Sequence, residues 1–177
     1  MRLLLLPFYF PSSQLVDELR DFLPRVYKLQ VQLVSPWFDP QDCFNSQRGQ
    51  YDALCLLRKL IAGRPPSAQR VLAITGVDLF ISVLTYVFGE AQLDGPTGIV
   101  STRRLNPQAY GLPKDPQRFR QRLLTEAVHE LGHTFGLAHC KTAGCAMHGA
   151  TYVEEIDLKK PQLCASCRGQ YLAYLER

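Results

Sequence analysis

The residues best suited to chemistry are three histidines and a glutamate gathered near position 130. His129, Glu130, His133 and His139 fit the pattern HExxHxxGxxH, with Gly136 at its glycine position. On a helix, residues four apart lie on one face with Cβ atoms about 6 Å apart, so His129 and His133 can bind the same metal ion. The pattern therefore predicts a catalytic zinc site held by three imidazoles.

The third histidine can reach the metal only if the helix ends before it. In a continuous helix, His139 would lie roughly 9 Å further along the axis than His133. Gly136 stands between them, and glycine adopts the left-handed backbone conformation without a steric penalty from a Cβ. We therefore expect the chain to turn at Gly136 and bring His139 back to the ion.

Glu130 has the type and position of a general base. Three imidazole ligands leave a fourth position for water, and a bound Zn²⁺ lowers the pKa of that water to about 7. Glu130 directly follows His129, too close to bind the same ion comfortably, but it can take a proton from the water and pass it to a leaving amine. The alternative is a helix with merely buried or solvated histidines. All 4 histidines of the chain fall between positions 129 and 148, which favours the metal.

A second set of potential ligands lies in the last quarter of the chain. Cys140, Cys145, Cys164 and Cys167 form two pairs, the second of them a CxxC motif. Four thiolates suffice for a closed tetrahedral zinc site, which has no place for a reactive water and is structural in role. A redox CxxC or two disulfides are the alternatives that remain.

The other cysteines and the fourth histidine have weaker assignments. Cys43 and Cys55 stand apart in the sequence and are predicted to be buried thiols, with a redox or accessory metal role left open. His148 is expected on the surface or beside a ligand, because both metal sites are filled without it. Since thiolates must stay reduced to hold metal, the expected compartment is the cytoplasm.

With these motifs and a methionine at position 147, the chain resembles the archaemetzincins, a family of metzincin zinc peptidases. The interval between the methionine and the CxxC motif is one residue shorter than is usual in that family, which affects only a loop. The similarity covers most of the chain. It is carried by HExxHxxGxxH, Cys140, Cys145, Met147, Cys164-Ala165-Ser166-Cys167, Gly49-Gln50-Tyr51-Asp52-Ala53 and Phe88-Gly89-Glu90-Ala91.

The resemblance implies a zincin-like fold and peptide hydrolysis. It places Met147 in a methionine turn beneath the histidines, as an apolar floor. It also implies that an extended peptide binds along an exposed edge strand, for which residues 86–91 are the candidate, and that the action is aminopeptidase-like. A zinc-stabilised peptide-binding module with little turnover is the alternative, as is a zinc hydrolase of another acyl bond. The intact Glu130 favours the peptidase.

Length and composition predict one soluble catalytic domain, expected to be a monomer. The chain has 177 residues, 46% of them hydrophobic, and its net charge of +4 is scattered, so nothing calls for nucleic acid. No apolar run approaches the roughly 18 residues that span a bilayer. The leucine-rich start, interrupted by Pro7 and Pro11, is predicted to be a buried strand and not a signal peptide. We expect the domain to cover 1–177, with a sheet-and-helix part at 1–136 and a C-terminal zinc-stabilised part at 137–177.

Hydrophobic periodicity predicts an α/β fold. We expect a mixed, mostly parallel twisted sheet with helices packed on it, one of which carries the active site. The predicted strands are 2–8, 26–34, 71–75, 86–91 and 98–103, and the predicted helices are 13–22, 51–61 and 117–136.

Overall fold

All the strands lie before residue 102, with two α-helices among them, and the rest of the described chain is helical or irregular. The computed structural model describes residues 1–176, which contain nine strands and five α-helices. The strands are β1 (Arg2–Phe8), β2 (Gln30–Leu33), β3 (Phe44–Asn45), β4 (Gln50–Asp52), β5 (Arg70–Thr75), β6 (Leu79–Ile81), β7 (Leu84–Val87), β8 (Gly89–Ala91) and β9 (Thr97–Ser101). The helices are α1 (Ser13–Val26), α2 (Ala53–Ala62), α3 (Pro116–Thr134), α4 (Val153–Asp157) and α5 (Ala165–Leu175).

Five strands pair into a main sheet in the order β2-β1-β5-β9-β8. The first four run parallel, whereas β8 is antiparallel to β9, with Gly89 opposite Val100. Strand β8 lies at the edge, so one side of its backbone has no strand partner within residues 1–176. The prediction of a mixed, mostly parallel sheet with helices is confirmed.

Both faces of the main sheet are covered, because successive residues of a strand point to opposite faces. Leu5 belongs to a core cluster that contains Leu19 of α1 and Leu131 of α3. Its neighbour Leu4 belongs to a second cluster that contains Leu56 of α2. An almost wholly apolar first strand is what burial on both faces requires.

A second sheet, which the sequence did not predict, has the order β3-β4-β6-β7. Its strands are only 2, 3, 3 and 4 residues long, too short for a periodic pattern. The predicted strand 86–91 is in fact two strands, β7 and β8, which belong to different sheets and are divided at Phe88. The chain thus passes from the small sheet to the edge of the main sheet at Phe88.

The prediction that Cys43 and Cys55 are buried thiols is wrong, because the structure joins them in a disulfide. Cys43 ends a short 3₁₀ helix (Pro40–Cys43), and Cys55 lies in the first turn of α2. Their Cα atoms are 5.6 Å apart, a normal disulfide separation. The bond ties the 3₁₀ helix to α2 next to the small sheet.

Helix boundaries depart from the prediction where capping and burial outweigh local signals. Helix α1 continues past the predicted stop at Pro24 and ends at Val26. Leu23, just before the proline, and Tyr27, just after the helix, are both fully buried and hold this last turn against the core. Helix α2 begins later than predicted, at Ala53, because the side chain of Asp52 accepts hydrogen bonds from the first turn. No helix within residues 1–176 is both long and apolar enough to cross a bilayer.

Candidate active site

Helix α3 carries the first half of the site. Asp115 caps its start by accepting a 2.9 Å hydrogen bond from the N–H of Arg118. The helix ends at Thr134, and Gly136 then adopts a positive φ of 77°. The N–H of Leu137 bonds back to the carbonyl of Gly132 at 3.2 Å, which closes the terminal turn. The predicted break at Gly136 is confirmed.

The turn brings the three histidines together. The ring centroids of His129 and His133 lie 4.6 Å apart, and that of His139 lies 5.2 and 5.0 Å from them. One nitrogen from each ring lies within 4.8 Å of one nitrogen of each of the others. His129 is buried and His133 half-buried, whereas His139 is exposed.

Hydrogen bonding to the backbone leaves these rings ready to bind a cation. His129 Nδ1 lies 2.7 Å from the carbonyl oxygen of Ala146, and His133 Nδ1 lies 2.8 Å from that of Leu137. Because a carbonyl can only accept, each Nδ1 carries the proton and each Nε2 is an unprotonated acceptor. The two Nε2 atoms nevertheless face each other at 3.0 Å. Two nitrogens bound to one Zn²⁺ at tetrahedral angles are about 3.3 Å apart, so the donor set fits zinc.

Burial also favours the neutral form of the imidazoles. It lowers the pKa of His129 well below the usual value, with smaller contributions from His133 and Lys159. Burial likewise lowers the pKa of His133 and of His139. Neutral imidazole is the form that ligates metal.

Glu130 lies beside the histidines and is 5% exposed. Burial raises the pKa of its carboxyl well above the usual range, and the nearby carboxyls of Glu126 and Glu90 add to the effect. A divalent cation at the imidazoles acts in the opposite direction, since positive charge stabilises a carboxylate. The Glu130 side chain packs against the backbone of Gly89 in strand β8. The proposed base and the edge strand are therefore in direct contact.

A cleft of about 660 Å³ opens above this group. It is lined by residues 84–91, which end in the edge strand β8, by the site residues of α3, and by residues 150–152. Across the cleft, the hydroxyl of Tyr86 donates a 3.4 Å hydrogen bond to the carbonyl of Thr151. The segment 86–91, which the sequence singled out for peptide binding, thus borders the same cleft as the histidines.

Met147 is fully buried beneath α3. A Cβ at Gly132, in the turn between His129 and His133, would collide with its Sδ and would lie 2.9 Å from the hydroxyl of Tyr27. Close approach of the methionine to the helix thus depends on the missing side chain at position 132.

The four cysteines from Cys140 onward form a second cluster, apart from the disulfide. All four are free, and their Sγ atoms lie within 4.8 Å of one another. The Sγ atoms of Cys140 and Cys164 are 3.8 Å apart, which matches the edge of a tetrahedron with Zn–S bonds of about 2.3 Å. A hydrogen bond from the Cys167 backbone lowers the pKa of the Cys164 thiol to about 6. Burial instead raises the pKa of the Cys145 and Cys167 thiols, so a bound cation would be needed to make all four cysteines thiolates.

His148 belongs to neither group. Its Nδ1 lies 2.8 Å from the carbonyl oxygen of Cys140. Sequence reasoning missed Glu126 and Lys159, a buried pair whose glutamate lines the cleft. The position of Glu126, one helical turn before Glu130, offered a signal for the first residue. Nothing in the sequence indicated Lys159, which lies in the segment after α4.

Comparison with known proteins places this arrangement among zinc peptidases. The archaemetzincin of Methanocaldococcus jannaschii is 34% identical and covers 92% of this chain and 94% of its own length. The crystal structure of the archaemetzincin of Methanopyrus kandleri superposes with a TM-score of 0.87 at 33% identity, covering 100% of this chain and 96% of that one. That of a zinc-dependent peptidase from Methanocorpusculum labreanum gives a TM-score of 0.81 at 27% identity, covering 96% and 99%.

The fold, the site and these relatives define a zinc metallopeptidase of the metzincin type. The model of peptidase family M54 matches residues 7–172. The chain belongs to peptidase family M54, and the resemblance to archaemetzincins is confirmed.

Proposed function

We propose that the chain cleaves peptide bonds at a zinc ion held by His129, His133 and His139, with Glu130 as the general base. The observation that carries the proposal is the pair of unprotonated Nε2 atoms facing each other at 3.0 Å, with the buried carboxyl group of Glu130 beside them. A zinc ion, when bound, supplies a Lewis acid that lowers the pKa of water to about 7.

Glu130 holds and moves the proton in this proposal. Its carboxylate takes a proton from the attacking water and delivers it to the nitrogen of the leaving amine. Contact with Gly89 restricts the side chain to the border of the cleft. His129 and His133 keep their Nδ1 protons, which remain donated to Ala146 and Leu137.

The substrate proposed for the site is a short, extended peptide. Edge strand β8 supports this choice, since its free backbone side can add a further strand through main-chain hydrogen bonds. A cleft of about 660 Å³ falls within the range of small-ligand sites, roughly 300–1,000 Å³, which favours short chains. Aminopeptidase-like action is proposed from the resemblance to the archaemetzincins.

A second zinc ion is proposed at Cys140, Cys145, Cys164 and Cys167. The close approach of four free sulfur atoms supports it. Four thiolates fill a tetrahedral shell, so this metal is structural and leaves no open position. Because Cys140 directly follows His139, a metal at the cysteines would also fix the backbone next to the third imidazole.

A cytoplasmic monomer remains part of the proposal. The four free thiols of the proposed structural site support a reducing compartment. The Cys43–Cys55 disulfide points to the opposite conditions. Alkylation of thiols in intact cells, followed by mass analysis of the extracted protein, tests the compartment. A Cys43–Cys55 bond that is complete before extraction argues against the cytoplasm.

A peptide-library digest tests the proposed activity. The rival is a peptide-binding module on the same scaffold, with little turnover. We expect wild type to release products, a chelator to abolish their release, and Glu130→Gln to slow it by about 100- to 10,000-fold with zinc retained. Glu154→Gln, on an exposed glutamate of α4, is the matched control and keeps full activity. Equal product from wild type, Glu130→Gln and the chelated enzyme would reject the peptidase.

A further inference from the structure

A buried ion pair lies next to the active site. Lys159 Nζ is 3.0 Å from Glu126 Oε1 and 2.9 Å from the carbonyl oxygen of His148. The side chains of Lys159 and Glu126 are 1% and 4% exposed. One ammonium group therefore joins helix α3 to the segment that contains the methionine turn.

Such a pair contributes little to stability by itself. Removing a carboxylate and an ammonium from water is costly, and well-packed apolar side chains of similar volume stabilise a protein as well or better. Two charges buried together beside a functional site therefore call for an explanation other than stability.

The pair adjoins the segment that orients one of the ligands. Glu126 precedes His129 by three residues and Glu130 by four, so the three share one face of α3. On the opposite side, Lys159 holds the carbonyl of His148. Two residues earlier, the carbonyl of Ala146 accepts the Nδ1 proton of His129.

The connection continues to the third histidine. His148 Nδ1 lies 2.8 Å from the carbonyl oxygen of Cys140, and the Cys140 N–H donates a 2.8 Å hydrogen bond to the carbonyl of Met147. Cys140 is bonded to His139 in the chain. Lys159 therefore anchors the backbone of residues 146–148. This segment bonds to His129 on one side of the metal site and to Cys140, next to His139, on the other.

We propose that Glu126 and Lys159 are positioning residues that hold residues 146–148 against α3 and so keep His129 and His139 at the spacing that zinc requires. Neither residue touches the metal in this role. The inference rests on the histidine zinc site of the proposed function, but not on turnover.

Removing both charges separates positioning from simple charge compensation. In the double variant Glu126→Leu/Lys159→Met no charge is left buried alone. With zinc retained at the cysteines it should still unfold in one cooperative transition, with a midpoint lowered only by the lost hydrogen bond to the His148 carbonyl. Its affinity for zinc at the histidine site, measured by chelator competition, should be about 10- to 100-fold weaker. The visible spectrum of Co²⁺ at that site should change as well, because the ligand geometry relaxes.

Two single variants complete the test. Lys159→Met leaves Glu126 buried and unpaired, so it should lose both stability and zinc affinity. Lys160→Met makes the same change at the exposed neighbouring lysine and should alter neither. A double variant with the zinc affinity and Co²⁺ spectrum of wild type would overturn the proposal. So would a double variant that fails to fold, since the pair would then be structural.

These readouts need no peptide. A wild-type protein that binds zinc but cleaves nothing would reject the proposed activity and leave the positioning role standing. Wild-type zinc affinity in the double variant would reject the positioning role, whatever the activity.

Discussion

The carboxylate of Glu130 lies against the backbone of Gly89. A Cβ built at position 89 would fall 2.5 Å from Glu130 Oε1 and 2.6 Å from its Cγ. The proposed base therefore occupies space that any residue other than glycine would fill. Gly89 is also the first residue of the edge strand β8, so the proposed base directly contacts the strand proposed to bind the peptide.

Gly89→Ala is expected to displace the Glu130 side chain. Because a misplacement of about 1 Å can reduce catalysis about 100-fold, peptide turnover should fall by about that factor. Zinc content should stay unchanged, since the atoms nearest to the new methyl group belong to Glu130 and not to a ligand. Initial rates, together with elemental analysis, measure this. The control is Gly169→Ala in α5, where a Cβ meets no atom within 4 Å. Full activity in Gly89→Ala would show that the contact is unimportant.

Gly132→Ala is expected to destabilise the protein. The added methyl group must displace Met147 and the hydroxyl of Tyr27, which donates a 2.7 Å hydrogen bond to the carbonyl of Val128. Overpacking of this kind costs about 1–3 kcal/mol. Urea unfolding followed by circular dichroism measures the loss. An unchanged midpoint would mean that the methionine turn moves aside freely.

Cys164→Ser is expected to remove one of two zinc equivalents. The serine hydroxyl is a poor substitute for a thiolate in a site of four sulfur ligands. Elemental analysis should give two zinc ions per wild-type chain and one in the variant, and the unfolding midpoint should fall because the structural metal is lost. A single equivalent in wild type, with Cys140, Cys145, Cys164 and Cys167 all open to a thiol reagent, would contradict the second site.

Acidification is expected to release zinc from the histidine site only below pH 6.5. Burial lowers the pKa of His129 well below its usual 6.5, and the pKa values of His133 and His139 are also lowered. A lowered pKa keeps an imidazole neutral at lower pH. Protons therefore displace the metal only at a lower pH than they would from a free imidazole. Zinc content after dialysis across a pH series measures the midpoint. A midpoint above pH 6.5 would contradict the burial argument.

Loss of the disulfide is expected to lower stability and leave catalysis unchanged. Cys43 and Cys55 are 12 residues apart, and closing a loop of that size stabilises a fold by roughly 3 kcal/mol. The double variant Cys43→Ala/Cys55→Ala should therefore unfold at lower urea concentration than wild type. In the presence of a reducing agent, wild type and the double variant should unfold at the same urea concentration. A persistent difference would mean that packing, and not the bond, stabilises this region.

The active-site geometry was the part most accessible from the sequence. The HExxHxxGxxH pattern specifies ligand types and also a helix end, because three ligands at that spacing cannot meet on a continuous helix. Helix α3 ends at Thr134, and Gly136 has the positive φ that the turn needs. Strands β1 and β5 were also predicted, since both are apolar runs long enough to recognise.

Features built from distant or very short segments escaped prediction. Strand β3 has two residues and β6 three, so neither contains a period. Lys159 and Glu126 are 33 residues apart, and only the folded chain brings them together. The Cys43–Cys55 bond depends in the same way on the small sheet. The division of the chain at residue 136 and the monomeric state stay predictions.

The imidazoles of His129 and His133 are oriented by main-chain carbonyls, those of Ala146 and Leu137. A carbonyl is present whatever side chain the residue carries. Family members are therefore free to vary the side chains at these two positions, within the limits of packing, without losing ligand orientation. A search for coevolving partners of the histidines would overlook both contacts.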